Sequence, residues 1–233
     1  MDKKTFIEEL KKININITKD QLNKLETYYN ELIEYNKNVN LTRIVEKEDV
    51  YLKHFYDSLT LVKAIDLNQD ISLCDVGTGA GFPGMVLAII FPTLIITLVD
   101  ALQKRINFLD LLIKKLGLTN VKTVHARIED FAKDNREKYD VVTCRAVSNL
   151  RVLLEISIPL VKVEGYFIPM KGMINTELDE SLDMLKKLDC IIISTIDFKL
   201  PIENSERTLI KIKKNKETNK KYPRRYDVIK NDK

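Results

Sequence analysis

The chain has 233 residues, a formal charge of +4 and 45% apolar residues, the balance of a soluble globular protein able to bury one substantial core. Two histidines and three cysteines (Cys74, Cys144 and Cys190), widely separated and without C-x-x-C spacing, argue against a metal site or a disulfide framework. No apolar run approaches a membrane span and the N-terminus lacks a signal-peptide core, so a cytoplasmic protein with no membrane partner is expected.

Residues 1–68 read as helices only. Residues 1–10 are amphipathic, and Thr18-Lys19-Asp20-Gln21 forms a capping box. Leu22, Leu25, Tyr29, Leu32 and Asn36 then recur at helical spacing, with Tyr28 and Ile33 beside them, a stripe read as core. A turn-rich stretch, 35–42, follows. Asp57 or Ser58 is placed as the N-cap of a helix running to Ile65.

From residue 71 apolar strands alternate with helices, the pattern of a parallel α/β sheet. Strands are predicted at 71–76, 94–99, 121–125, 139–144 and 166–170, and helices at 85–91, 103–116, 150–160 and 177–188. Two more runs, 190–198 and 207–213, have no long helix between them, so one of them is expected to run antiparallel. The charge is unevenly spread: residues 211–233 carry ten Lys/Arg against three Asp/Glu, a balance of +7, while the rest sums to −3. Such a tail serves solubility or holds a polyanion.

Between the first strand and its helix lies Cys74-Asp75-Val76-Gly77-Thr78-Gly79-Ala80-Gly81-Phe82-Pro83-Gly84. Strand, glycine turn and helix is the layout in which a backbone wraps a nucleotide-like ligand. Glycine permits positive φ and lets the ligand approach the main chain, and the helix N-terminus presents free N–H groups. Two ligands compete. Residues 79–84 fit the dinucleotide fingerprint G-x-G-x-x-G, with Asp100 at the matching distance. The wider Asp75-x-Gly77-x-Gly79-x-Gly81 resembles motif I of S-adenosylmethionine-dependent methyltransferases.

In an open α/β sheet the ligand lies beyond the carboxyl ends of the strands. That places Gly77 to Phe82, Asp100, Ile128 with Glu129, Arg145 and Lys171 around one site. Asp100 there accepts ribose hydroxyls, or caps the next helix; Glu129 receives an adenine amino group with Ile128 on the ring, or is a surface acid. Arg145 touches the cofactor or the target nucleotide. Lys171, Lys104, Arg105 and His54 line a basic path for nucleic-acid phosphate, unless Lys104 and Arg105 are solvated charge and His54 an ordinary helix residue.

These residues belong to a longer series. Val39-Asn40-Leu41-Thr42, His54-x-x-Asp57-Ser58-Leu59, the glycine stretch, Asp100-x-x-x-Lys104-Arg105-x-x-Phe108-Leu109, Arg127-x-Glu129, Cys144-Arg145-Ala146 and Lys171-Gly172 occur in one order. Over residues 1–214 the chain resembles the RsmG (GidB) family of 16S ribosomal RNA guanine-N7 methyltransferases. The resemblance implies a Rossmann-like methyltransferase sheet, mostly parallel with its last strand antiparallel. The pattern along the chain divides it into a helical extension packed on the core (1–68), an S-adenosylmethionine-binding domain (69–214) and a basic tail (215–233). The resemblance also implies S-adenosylmethionine held at Gly77, Phe82, Ile128, Glu129 and Arg145, alongside Gly79, Gly81 and Asp100 from the strand-end reading. The implied partner is 16S ribosomal RNA within the small subunit or an assembly intermediate, met by a monomer. Two stretches depart from the family: Met85-Val86 stands where Ile-Pro is common, and after Lys220-Lys221-Tyr222-Pro223-Arg224-Arg225 the tail continues differently, as Tyr226-Asp227-Val228-Ile229.

Guanine N7 carries a lone pair and no proton, so methylating it needs positioning rather than a general base or a thiolate. No catalytic residue is therefore assigned; Arg145 and Lys171 are candidate substrate contacts, and Cys144 lacks the preceding proline of a cytosine-directed nucleophile. Two alternatives stand beside this reading: an NAD(P)-dependent oxidoreductase using the 79–84 turn, and a non-catalytic RNA-binding assembly factor with an idle pocket.

Overall fold

The computed structural model describes residues 1–174 and 176–231. Helices α1 (Lys3–Lys12) and α2 (Lys19–Val39) open the chain. The predicted capping box is present: Gln21 N donates to Thr18 Oγ1 at 3.2 Å, and Thr18 N to Gln21 Oε1 at 2.9 Å. The buried face of α2 is Leu25, Tyr28 and Leu32, with Tyr29 only partly covered. Asn36, read as core, instead organises the following loop, its Oδ1 accepting from Leu41 N at 2.6 Å and Thr42 N at 2.9 Å.

Helical backbone then runs without a break through α3 (Lys47–Asp49), a π-helical turn (Val50–Tyr56), α4 (Asp57–Leu59) and a 3-10 turn (Thr60–Lys63). The expected N-cap at Asp57 or Ser58 is thereby overturned. Both residues lie inside continuous helix, where Asp57 N–H bonds back to His54 and Leu52 carbonyls and Ser58 Oγ donates to His54 O. Their side chains are released for other work.

The α/β part follows as β1 (Ser72–Val76), α5 (Gly84–Ile90), β2 (Ile95–Asp100), α6 (Gln103–Leu116), β3 (Val121–His125), α7 (Ile128–Asp134), β4 (Tyr139–Arg145), α8 (Leu150–Ser157), β5 (Val161–Lys171), α9 (Glu177–Lys187), β6 (Cys190–Lys199), β7 (Glu206–Lys214) and α10 (Tyr226–Asn231). Gly117, at φ 64°, stops α6 in the left-handed conformation. β5 begins earlier than predicted because Val161 already pairs with Tyr139, across a register shift that follows in β4.

The sheet order is β3-β2-β1-β4-β5-β7-β6. β1 to β5 pair in parallel, and β7 lies antiparallel to both β5 and β6, so the last strand is the reversed one, as expected. Helices cover both faces, the arrangement a parallel sheet requires. One core cluster joins α1, α2, the π-helical turn, α5 and α6 through residues such as Tyr28, Phe55, Met85 and Leu109. The other joins α7, α8, α9 and α10 through Phe131, Leu153, Met184 and Ile229. Residues 1–68 thus share a continuous core with α5 and α6. Between β1 and β4 the strand order reverses, opening a crevice at their carboxyl ends.

Candidate cofactor and substrate clefts

The glycine turn is built at that crevice. Gly77, Gly79 and Gly81 have φ of 67°, 62° and 104°, values that side-chain-bearing residues rarely adopt. A Cβ on Gly77 would lie 2.6 Å from Val147 Cγ2, inside the crevice. Gly79 has open space around it, and its N–H donates to Asp100 Oδ2 at 2.9 Å. Gly81 is pressed under the helical extension instead: its Cβ would meet Tyr28 Oη at 2.6 Å and Leu109 Cδ2 at 2.9 Å. Tyr28 Oη also donates to Ala80 O at 2.5 Å, fastening α2 to the turn.

Asp75 secures the turn from beneath. Its Oδ2 accepts from Thr78 Oγ1 at 2.6 Å and Gly84 N at 2.8 Å, while Oδ1 is buried without a partner. Burial pushes this carboxyl up to about 7, against the pull of the two hydrogen bonds.

At the end of β2, Asp100 is 2% exposed. It accepts from Gly79 N and Leu102 N, both at 2.9 Å, and pairs with Arg105 Nη1 at 3.1 Å. Gly77, Asp100, Arg105, Ile128, Glu129, Val147 and Tyr226 are among the residues lining a cleft of about 210 Å³. Four of the residues expected to hold a cofactor (Gly77, Asp100, Ile128 and Glu129) are therefore brought together. Arg105 is not: assigned to an RNA path with His54 and Lys171, it is drawn by the Asp100 carboxylate into a different cleft. Lys104, its neighbour, is exposed.

A second cleft, about 430 Å³, lies beyond β4 and β5 and includes His54, Asp57, Arg145, Lys171, Glu177 and Arg207 in its lining. Arg145, expected at the cofactor, turns toward the helical extension. Its Nη1 donates to Lys53 O at 2.8 Å and Asp57 Oδ2 at 3.2 Å, and its Nη2 to His54 Nδ1 at 2.9 Å. Burial lowers the Arg145 pKa, and the Asp57 and Asp75 charges oppose that shift. Arg207 Nε reaches the same Asp57 Oδ2 at 3.0 Å, so one carboxylate joins the extension to β4 and β7. Lys171 Nζ is held by Glu177 Oε2 and Ser148 O, both at 2.8 Å. Phe82, also expected at the cofactor, is packed into the extension, its ring stacked on His54 at 4.3 Å and Tyr28 at 5.3 Å.

His54 is neutral in this arrangement. Its Nδ1 accepts from Arg145, so the proton sits on Nε2, which faces Thr42 Oγ1 at 3.0 Å. Burial, then the Arg145 charge, pushes its pKa down to about 3 from 6.5. It is not a cation offered to phosphate. On acidification the unfolded chain takes up this proton first, so stability intact above pH 6.5 is lost progressively as pH falls toward 3. Asp75 acts in the opposite sense, since its raised carboxyl favours the folded state on acidification. The His54 effect therefore shows in comparison with His54→Gln. Urea melts at pH 7.5 and 4.5 are expected to show the parent chain losing about 2 kcal/mol more than the variant.

The two clefts share a wall. After β4 the chain passes Ala146, at φ 55°, so that Ala146 lines the second cleft and Val147 the first. Cys144, just before it, is buried and its thiol is pushed up by that burial, away from nucleophilic reactivity. Among the described residues no group of three or more His, Cys, Asp or Glu could hold a metal ion, and no helix is long and apolar enough to cross a membrane.

Residues 21–217 match the family model GidB, rRNA small subunit methyltransferase G. The chain belongs to this family. The ribosomal RNA small subunit methyltransferase G of Oceanobacillus iheyensis is 46% identical over 228 residues, covering 97% of this chain and 96% of its relative. That of Lactobacillus helveticus is 49% identical over 229 residues, covering 96% and 95%. Among solved structures, the M. jannaschii TYW2 complex with AdoMet superposes with a TM-score of 0.53 at 16% identity, over 63% of this chain and 70% of that one. A SAM-dependent methyltransferase from Aquifex aeolicus gives 0.51 at 16% identity, over 76% and 96%. At such identities these two likenesses concern the fold. As a GidB family member, the chain is an S-adenosylmethionine-dependent methyltransferase of small-subunit ribosomal RNA, and neither the dehydrogenase nor the idle-pocket alternative is supported.

The Asp100 cleft fits this cofactor: Gly77 presents backbone without a Cβ to the cleft, packed against Val147, and Asp100 offers a fixed carboxylate in the same lining. Sequence reasoning missed Asp57 as an anchor and did not single out Arg207, Val147 or Glu177. Their partners lie far away in the chain, Asp57 and Arg207 being 150 residues apart, and no local pattern announces such a pair.

Proposed function

We propose that the protein methylates N7 of a guanine in 16S ribosomal RNA, with the cofactor's adenosine in the Asp100 cleft and the target guanine in the Arg145 cleft. The observation that carries this is the shared wall at residues 145–147, where two clefts meet beyond β1 and β4. When bound, S-adenosylmethionine supplies the activated methyl group. Asp100, held by Gly79 N–H and Arg105, receives the ribose hydroxyls, and Ile128 and Glu129 meet the adenine. Gly77, in the lining of the same cleft, presents bare backbone to the methionine end.

The second cleft suits a nucleophile that brings its own lone pair. Asp57 is shared by two arginines, both His54 nitrogens are engaged, and Lys171 is tied to Glu177. Of these groups Asp57 Oδ1 alone is buried without a hydrogen-bond partner, beside the two arginines; N7 requires no general base, and orientation supplies the rate. The cationic lining, Arg145, Arg207 and Lys171, favours a phosphate-bearing substrate. The enzyme acts as a cytoplasmic monomer on the small subunit or an assembly intermediate.

The test is methyl transfer from labelled S-adenosylmethionine to small subunits from cells lacking this protein, with the labelled nucleoside mapped. A single 7-methylguanosine in 16S RNA is expected. Label in another base refutes the target atom.

A further inference from the structure

The basic tail is not a free arm. Lys214 Nζ is fully buried, donating to Glu137 Oε1 at 3.0 Å and to the carbonyls of Ile158 and Val161 at 3.2 and 2.8 Å. Arg136 reaches back to the Thr218 and Tyr222 carbonyls. Arg224 forms a fork on Glu155, Nε to Oε1 at 2.9 Å and Nη2 to Oε2 at 2.7 Å, and its N–H adds a third bond at 2.9 Å. Glu155 is fully buried in α8, so this pair is a strong anchor. Ile229 is 3% exposed, seated in the core cluster beneath α8 and α9.

These anchors flank Tyr226 on both sides. Tyr226 is thereby brought into the lining of the Asp100 cleft, together with Ile128, Glu129 and Arg127. An adenine needs two apolar faces covered, and aromatic side chains provide such a face to any base. Ile128 is available as one face.

We propose that Tyr226 is the second: a cofactor-binding residue that packs its ring on the adenine of S-adenosylmethionine, brought there by the docked tail. The proposal rests on the placement of adenosine in the Asp100 cleft. It makes the last helix part of the cofactor site.

Calorimetric titration with S-adenosylmethionine and with adenosine tests it. Tyr226→Ala is expected to weaken both ligands by about tenfold, the same factor for each, because the lost contact is to their common ring. Tyr226→Phe is expected to stay within about twofold, since the face and not the hydroxyl is used. Tyr226 is partly buried and packs against the core cluster, so a modest fall in ligand-free melting temperature is expected for Tyr226→Ala, with affinity measured well below it. A Tyr226→Ala affinity within twofold of the parent overturns the proposal, as does an equal loss in Tyr226→Phe. Gly77→Asp separates the two readings: if it abolishes binding while Tyr226→Ala does not, only the tyrosine assignment falls. If neither variant changes affinity, the placement of adenosine falls as well.

Discussion

Gly77→Asp is expected to raise the Kd for S-adenosylmethionine more than 100-fold and to abolish methyl transfer, in a chain that still melts cooperatively. The space beside Gly77 is already filled to contact by Val147, whose Cγ2 would sit 2.6 Å from a new Cβ. A carboxylate there must displace Val147 or project into the cleft where we place the cofactor, and it adds a second negative charge near Asp100. The backbone contributes too, because φ of 67° is strained for aspartate. That strain is on the order of 1–3 kcal/mol, which a domain with a stability of about 5–15 kcal/mol tolerates. Calorimetry with a parallel thermal melt checks both halves. Affinity retained within tenfold in a folded variant would remove Gly77 from the cofactor site.

Asp57→Ala should give the largest loss of stability, about 3–5 kcal/mol by urea unfolding at neutral pH. Arg145 is largely covered by Phe82 and His54, and among the described residues its ion-pair partner is Asp57. Removing that carboxylate leaves a guanidinium in the interior without its counter-charge and frees Arg207 from the same tie. The extension, β4 and β7 then lose their common fastening. Combining Asp57→Ala with Arg145→Met should recover much of the loss, because a buried pair replaced by an apolar side chain leaves no orphaned charge. A single-variant loss below about 1 kcal/mol, or no recovery in the double variant, would show that the network is not what joins these elements.

Both predictions turn on residues whose roles were unequally visible beforehand. Gly77 was legible because local backbone geometry explains it: a strand, a turn of positive φ and a helix write themselves in consecutive residues. Asp57 was not, since as one acid in a helical stretch it reads as a cap, and only its carboxylate's reach to Arg145 and Arg207 shows otherwise. Phe82 and Gly81 mark the boundary between the two cases. Their presence in the glycine stretch was evident, but α2 decides that they face Tyr28 rather than the cleft.

By itself the sequence determined the alternation of strands and helices, the reversed last strand, the capping box of α2 and the acid that closes β2. These follow from hydrophobic period, turn residues and caps, which act over a few neighbouring residues. Tertiary structure alone decided that strand-end charges sort into two clefts, with Arg105 drawn to Asp100 and Arg145 to Asp57. It also decided that a basic tail is docked by Glu155 and Glu137. A buried charge takes whichever opposite charge the fold brings within reach, and that partner is chosen by packing in three dimensions rather than by spacing along the chain.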